Sequence, residues 1–406
     1  MDYVARMRTT SGLPLQRATI KDVARRAGVS IGTVSQAFNK PETVSKEARE
    51  AVILAAGELK YRPNSVARSL VARRHQAASV LRGDMPRLVT VGYLSIDFIV
   101  AVDGFPAPGG RVTSRFIDKM IGGPAANVAS YAASLGEPLA VRTEIITRLG
   151  DDQDSIWAAE ELARRGVDAS GAEVTPGERV SRCIVLVDAK GERTIVNEPL
   201  QVPLELVTRH LAEQGRPKGL SCIHFDGFHL AAAESAEGPL HAEGHLLSFH
   251  AAGLDPLSQT ALRAAEWLEM FDMMFLDRSA MDRIAASDPT GELLHHPERL
   301  FARANRPRCK AIMLTRGVDG AVLLRPSAPP LAMPAPKVRV TDVTGAGDAF
   351  TGIFLGSFLA RGDLDLALKD AVTGASLSVT AYGAQGRLVT STDLSVSTDE
   401  ALIETL

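Results

Sequence analysis

Val340-Thr341-Asp342-Val343-Thr344-Gly345-Ala346-Gly347-Asp348-Ala349-Phe350-Thr351-Gly352 starts as the end of a β-branched strand, turns through small residues and runs into an apolar helix beginning near Asp348. Gly345, Ala346 and Gly347 leave room for backbone N–H groups to converge with no side chain in the way. Such donors, at the positive end of a helix dipole, make an anion site. Asp348 follows directly. A carboxylate there is placed to take the proton of a hydroxyl that attacks a phosphate whose charge the amides hold.

A Gly-rich turn with a capping Asp would account for Gly-Ala-Gly-Asp alone. In its full form, D-x-T-G-A-G-D-x-F, the stretch closely resembles the second signature of the ribokinase-like (PfkB) sugar kinases. The resemblance implies that Asp348 is the catalytic base and that Gly345, Ala346 and Gly347 form the anion hole for the transferred phosphoryl. It implies ATP and Mg²⁺ as the phosphoryl source, and gives Asp342 and Thr344 the support of the loop and of a nearby K⁺ site.

Upstream, Gly122-Gly123-Pro124-Ala125-Ala126-Asn127 matches the family's first signature, G-G-x-x-A-N. Two glycines let a sugar pack against backbone, and an Asn amide can bridge two hydroxyls. A helix N-terminus with a Gly-Gly cap is the plainer reading of those six residues alone. The two signatures, about 220 residues apart and in the family's order, turn the balance. Four further positions carry over. Asp97 matches the sugar-hydroxyl aspartate, and Asp226 lies where many relatives place another sugar contact. Thr315, Gly317 and Gly320 fit the T-x-G-x-x-G nucleotide turn, while Gly150-Asp151 resembles part of the G-x-D-x-x-G region. One departure stands out. The family's N-x-x-E motif, which organises magnesium, reads Asp277-Arg278-Ser279-Ala280, leaving Asp277 as the remaining metal candidate. The run Asp188–Asn197 resembles that of ketose kinases, sulfofructose kinases among them.

The rest of the body agrees with an α/β domain. Apolar segments at Leu88–Tyr93, 140–147, 183–188, 222–225, 272–276 and 311–315 alternate with helical stretches at Asn127–Leu135, Ser155–Arg165 and Leu257–Glu269, as a largely parallel sheet requires. Polar β-rich pieces near 111–118 and 179–197 suit a small lid sheet. The expected architecture is a ribokinase-like three-layer sandwich with a small β lid over residues 87–395, followed by a tail at 396–406.

The 406 residues are 45% hydrophobic and 23% charged, ordinary globular values for two or more domains. No run approaches about 18 uninterrupted apolar residues and no signal core opens the chain, so no membrane segment is expected. Three scattered cysteines fit neither a disulfide framework nor a metal knuckle, and a cytoplasmic location is expected. Charge is unevenly spread. Residues 1–74 hold 14 Lys and Arg against 6 Asp and Glu, a net of +8, in a chain totalling −3, which leaves −11 on the body. A basic head on an acidic body points to nucleic acid at the head alone.

After an aperiodic arm at 1–17, the head reads as short helices. Ile20, Val23, Ala24 and Ala27 share a face that ends at Gly28. Ser30 caps a second helix, Ile31 to Phe38, that buries Val34 and Phe38, and Ser45 caps a third carrying Ala48, Val52, Ala55 and Leu59. The pattern T-I-x-D-V-A-x-x-A-G-V-S-x-x-T-V-S-x-x-x-N, then V-S-x-x-A-R-x-x-V and Y-R-P-N-x-V-A-R-x-L, resembles the lactose-repressor headpiece across residues 18–72. The resemblance implies an all-α helix-turn-helix whose second helix reads the major groove of a double-stranded operator. Its reading positions fall on Ile31, Gly32 and Gln36, with Thr33, Ser35 and Asn39 near bases or phosphates. Ala67 and Leu70 fall in a hinge helix of the minor groove, Leu70 as the wedge. Paired hinge helices imply a homodimer, and 73–86 reads as a linker. The whole suggests a sugar-responsive transcription regulator that is also a sugar kinase. The alternative is a weak or inactive kinase fold kept as a sugar or nucleotide sensor, which Ala280 favours and an intact Asp348 opposes.

Overall fold

The structure, a computed structural model, describes residues 20–39, 44–59, 85–189 and 193–396. They fall into two compact units, the three helices before residue 60 and everything from residue 85 onward.

In the first unit α1 (Ile20–Ala27), α2 (Ile31–Asn39) and α3 (Lys46–Glu58) bury Val23, Ala24, Val34, Ala37, Val52, Ala55 and Ala56 against one another. Gly28 turns the chain at φ 67° after α1, a conformation glycine adopts without strain. Ser30 then caps α2, its Oγ accepting from Thr33 N at 3.0 Å, and Ser45 caps α3 through Ala48 N at 3.3 Å. Ile31, Gly32 and Gln36 are exposed on α2, and Thr33 is half-buried. The side chains of Ser35, Phe38 and Asn39, together with Ala67 and Leu70, lie outside the described residues, as do the arm, the linker and most of the tail.

The second unit is built on an eight-stranded sheet. In chain order its strands are β1 (Arg87–Val91), β4 (Arg142–Ile146), β9 (Ser221–Phe225), β10 (Leu246–His250), β11 (Met273–Asp277), β12 (Ala311–Thr315), β13 (Ala321–Arg325) and β14 (Ala328–Met333). They lie in the order β14-β13-β12-β11-β10-β9-β1-β4, parallel from β12 to β4, with an antiparallel hairpin at the β14 edge. Alternate residues serve opposite faces. Val89, Val91, Ile223, Phe225, Phe249, Leu276 and Ile312 join one core. Leu88, Cys222, Met273, Phe275, Met313 and Leu323 join the other. Helices α6 (Leu204–Gln214), α7 (Leu230–Ala242), α8 (Ala261–Met270) and α9 (Arg278–Ala286) contribute to the first core. The second is covered by α4 (Pro124–Ser134), α10 (Ala346–Arg361) and α11 (Leu364–Ser378). This is the expected three-layer sandwich.

A separate four-stranded sheet, ordered β3-β2-β7-β8, forms the lid from β2 (Ser95–Ala101), β3 (Phe116–Gly122), β7 (Ser181–Val187) and β8 (Arg193–Asn197). The sequence reading is corrected here in three places. Ser95–Ala101 is itself a lid strand, and the lid's first polar piece runs 116–122 rather than 111–118. No strand leads into the Gly-rich loop, because residues 334–343 follow β14 as extended chain with no ladder of their own. No described helix is long and apolar enough to cross a membrane.

Two helices of the second core meet closely. A Cβ on Gly352 of α10 would stand 2.4 Å from the Val128 carbonyl oxygen of α4. The missing side chain thus lets the two backbones touch, which brings the N-terminal ends of both helices into one place.

Candidate active site

Asp348 lies in the first turn of α10, 8% exposed. Gly345 precedes the helix at φ 74°, and the N–H groups of the first turn have no intrahelical acceptor, although that of Ala346 donates to the Val343 carbonyl at 3.3 Å. Gly347 is exposed, and nothing lies within 4 Å of where its Cβ would be. An open, donor-rich helix end beside a carboxylate is therefore present as the sequence led one to expect.

The loop before it is fastened by Asp342. Its Oδ1 accepts from Thr344 N at 2.9 Å and Thr344 Oγ1 at 2.7 Å, and its Oδ2 accepts from Gly383 N at 2.8 Å. Gly383 in turn lies against Met120 of β3, and Tyr382 meets Phe116 edge-on at 5.5 Å. One buried carboxylate thus ties the Gly-rich loop to the segment on which the lid rests.

Asn127 in the first turn of α4 is 3% exposed. Its Nδ2 donates to Asp348 Oδ2 at 2.7 Å, and its Oδ1 accepts from Gln385 Nε2 at 2.8 Å. Gln385 Oε1 is left buried with no hydrogen-bond partner among the described residues. Asp97 on β2 accepts from Ser95 Oγ at 2.6 Å, and its carboxylate fills the space that a side chain on Gly122 would need. Burial pushes Asp97 up to about 6, against the opposing hydrogen bond from Ser95 and with a further contribution from the charge of Asp348. Asp97, Gly122, Gly123, Asn127 and Asp348 are therefore one cluster, drawn from the lid base and two helix ends.

Asp226 departs from its expected sugar contact. It is fully buried, Oδ2 accepting from Tyr93 N at 2.6 Å and Oδ1 facing His229 Nδ1 at 2.7 Å, while His229 Nε2 accepts from Val202 N. Both oxygens are spent on holding three chain segments together.

Thr315 ends β12, and Gly317 and Gly320 lie on the turn that follows it. Gly320 has φ 82°, and a Cβ there would clash with the Met333 carbonyl oxygen at 2.0 Å. Arg278 bridges to Asp319 of this turn at 2.7 Å. Asp277 caps α9, Oδ1 accepting from Ala280 N at 2.7 Å, and is exposed. Ala280 is fully buried in the first core. No hydrogen bond or ion pair joins these residues to Asp348, and no cluster of three His, Cys, Asp or Glu able to hold a metal ion occurs among the described residues.

The sequence reading missed two neighbours of Asp348. His250, at the end of β10, places Nε2 3.3 Å from Asp348 Oδ1. Gln385 braces Asn127. Neither belongs to a quoted motif, and only the fold brings them in.

The model of the pfkB family carbohydrate kinases matches residues 85–391. The chain belongs to that family. The model of the lacI family of bacterial regulatory proteins matches residues 19–64, so a sugar kinase is fused to a lacI-type head. An ATP-dependent ribose-1-phosphate kinase of Halopiger xanaduensis is 27% identical over 303 residues, 74% of this chain and 94% of its own length. The ribose operon repressor of Halalkalibacterium halodurans is 62% identical over 52 residues, 13% of this chain and 16% of that repressor. Among solved structures, Arabidopsis thaliana ribokinase complexed with ribose and ATP superposes with a TM-score of 0.59 at 20% identity, over 77% of this chain and 98% of that one, a likeness of fold.

Proposed function

We propose that the kinase transfers the γ-phosphate of ATP to a sugar hydroxyl, and that the head couples the same sugar to transcription from a double-stranded operator. The observation that carries the reading is the carboxylate of Asp348, held by Asn127 at the edge of an open helix N-terminus. Asp348 takes the proton of the attacking hydroxyl, and the N–H groups of Gly345, Ala346 and Gly347 receive the charge on the transferred phosphoryl. Asp97, Asn127, Gln385 and the bare backbone of Gly122 and Gly123 hold and orient the sugar. Thr315, Gly317 and Gly320 take the nucleotide.

Magnesium, when bound with the nucleotide, would neutralise phosphate charge. It keeps several waters and needs few protein ligands, so phosphates and water would hold most of it, with the exposed Asp277 as the carboxylate that would hold one of the waters. A potassium ion beside the loop of Asp342 and Thr344 belongs to the same reading.

In the head, Ile31, Gly32 and Gln36 face the major groove, Thr33, Ser35 and Asn39 flank them, and Ala67 and Leu70 enter the minor groove of a two-fold operator. A homodimer supplies the second head. The outer lid face supports one, because strand pairing puts exposed Ile117, Ile184 and Val196 on a single side with Phe98 and Val100. A cytoplasmic location follows from both partners. The proposed domain limits are 1–17, 18–72, 73–86, 87–395 and 396–406.

The test is ADP release from Mg-ATP across pentoses, ribose-derived phosphates, ketohexoses, sulfofructose and ketodeoxy acids, followed by operator binding with and without the best substrate. Turnover with one sugar that also changes operator affinity is expected. Sugar binding with no turnover would replace the kinase by the sensor reading.

A further inference from the structure

Two adjacent strands put four polar side chains on the sheet face that also carries Leu88, Met273, Phe275 and Met313, with buried Thr90 of β1 opposite His224. Cys222 and His224 lie on β9, Ser248 and His250 on β10, and all four are buried. They form a single file. Cys222 Sγ is 3.3 Å from Ser248 Oγ, Ser248 Oγ is 2.8 Å from His224 Nδ1, and His224 Nε2 is 2.8 Å from His250 Nδ1. The two rings are nearly coplanar in orientation, 8° apart. The file ends at Asp348 Oδ1, 3.3 Å from His250 Nε2.

Counting protons orients this file when each ring carries one proton. Burial, and after it the neighbouring His250, hold His224 well below the ordinary histidine value, so His224 is neutral and carries one proton. Burial pushes the Cys222 thiol up to about 12, so it is a donor. Suppose the His224 proton sat on Nδ1. Nε2 would then accept from His250 Nδ1, and a neutral His250 would turn a bare lone pair towards the carboxylate of Asp348, which is repulsive. With the proton on Nε2 every hydrogen finds an acceptor. Cys222 donates to Ser248, Ser248 to His224 Nδ1, His224 Nε2 to His250 Nδ1, and His250 Nε2–H points at Asp348.

We infer that His250 is a positioning residue for Asp348, its Nε2–H holding Oδ1 while Asn127 holds Oδ2, and that the Cys222–Ser248–His224 file fixes the tautomer this requires. The inference rests on the kinase reading of Asp348. At 3.3 Å the contact is too far off-line to count as a hydrogen bond, and His250 Nε2 is buried with no hydrogen-bond partner among the described residues. Hydrogen bonds of this kind often tighten only when the reactants bind. The other groups bearing on Asp348 are Asp97 of β2 and Tyr131 of α4, while β11 turns the apolar Phe275 towards His224. Among the described residues His250 is thus the only imidazole that meets the base.

The experiment has two arms on the full chain. In the first, the pH profile of kcat/KM is compared for wild type, His250→Gln, His250→Phe and His224→Phe. His250→Phe is expected to lower kcat on the order of 100-fold, the scale of a misplaced reacting group, and to move the acid limb to higher pH. His250→Gln, which keeps an N–H near the position of Nε2, should restore the limb, and His224→Phe should fall between. A folded His250→Phe with an unmoved limb overturns the inference. In the second arm, ¹⁵N-histidine NMR reads tautomers without turnover. His224 is expected as the neutral Nε2–H form and His250 with a proton on Nε2, the His250 signals shifting in Asp348→Asn. An Nδ1–H His250, or one indifferent to Asp348→Asn, overturns it even where the variants fail to fold. A wild type inactive with every sugar defeats the kinase reading alone, and the NMR arm then still decides the clamp.

Discussion

Asn127 and Asp348 stand 221 positions apart in the chain, and Nδ2 of the first donates to Oδ2 of the second across 2.7 Å. Each sits in the first turn of its helix, and the glycine contact between α4 and α10 sets the approach of the two helix ends. The two signatures of the family are therefore halves of one hydrogen bond. A change on either helix is felt by the same carboxylate.

Asp348→Asn should remove proton acceptance while sparing the geometry, since an Asn oxygen still accepts from Asn127. A loss of about 10²–10⁴-fold in kcat is expected, with sugar affinity nearly unchanged. ADP release and a sugar-dependent thermal shift measure the two separately. Full retention of turnover would remove Asp348 from the role of base.

The loop glycines separate packing from chemistry. Gly345 has φ 74° and a Cβ there would stand 2.6 Å from Ala384 Cβ, so Gly345→Ala should destabilise the fold by about 1–3 kcal/mol. Gly347 has open space around it, and Gly347→Ala should leave stability level or raise it by up to about 1 kcal/mol. Its methyl group nonetheless enters the space proposed for the phosphoryl, so kcat/KM should fall sharply. Denaturant melts beside initial rates decide, and an active Gly347→Ala would move the anion hole elsewhere.

Asp97 carries a stability cost with a defined pH window. Its folded value is about 6 against 3.8 for the free group. Below 3.8 both states hold the proton and nothing is lost. Between 3.8 and 6 the folded state keeps a proton the unfolded state releases, so stability falls as pH rises, reaching a penalty on the order of 3 kcal/mol above 6. Asp97→Asn, which still accepts from Ser95, should therefore be more stable than wild type at pH 8, with a gain that fades towards pH 4. Its KM for sugar should rise. A gain independent of pH would mean that packing rather than charge is responsible.

How much of this was legible in the sequence depends on range. The anion loop, its Asp and the Asn127 helix are local patterns, because a glycine turn before an apolar helix reads the same in any context. The α/β domain with its parallel sheet followed from alternating apolar runs, and the three-layer sandwich from the resemblance that the two signatures carry. Asp226 was expected as a ligand because many relatives place a sugar contact there, yet its oxygens are taken by Tyr93 N and His229, contacts that no local pattern announces. His250 and Gln385 were missed for the converse reason. Their neighbours come from β9, α4 and α10, and only the strand register and the loop held by Asp342 bring them together. Residues 95–101, which the sequence reading left just past the first strand, form a strand of the lid sheet instead.

In the head, Gln36 is exposed on α2, within the helix proposed for the major groove. A Gln amide reads adenine by a paired donor and acceptor, at about 1–3 kcal/mol per base pair. Gln36→Ala should therefore lose that amount in each half-site of the preferred operator, flatten preference at one position in each and leave the salt slope unchanged, since no phosphate charge is lost. Fluorescence anisotropy on single-base operator variants at several salt concentrations reads all three. A uniform loss across sequences with a reduced salt slope would place Gln36 on the backbone and return base reading to Ile31 and its neighbours.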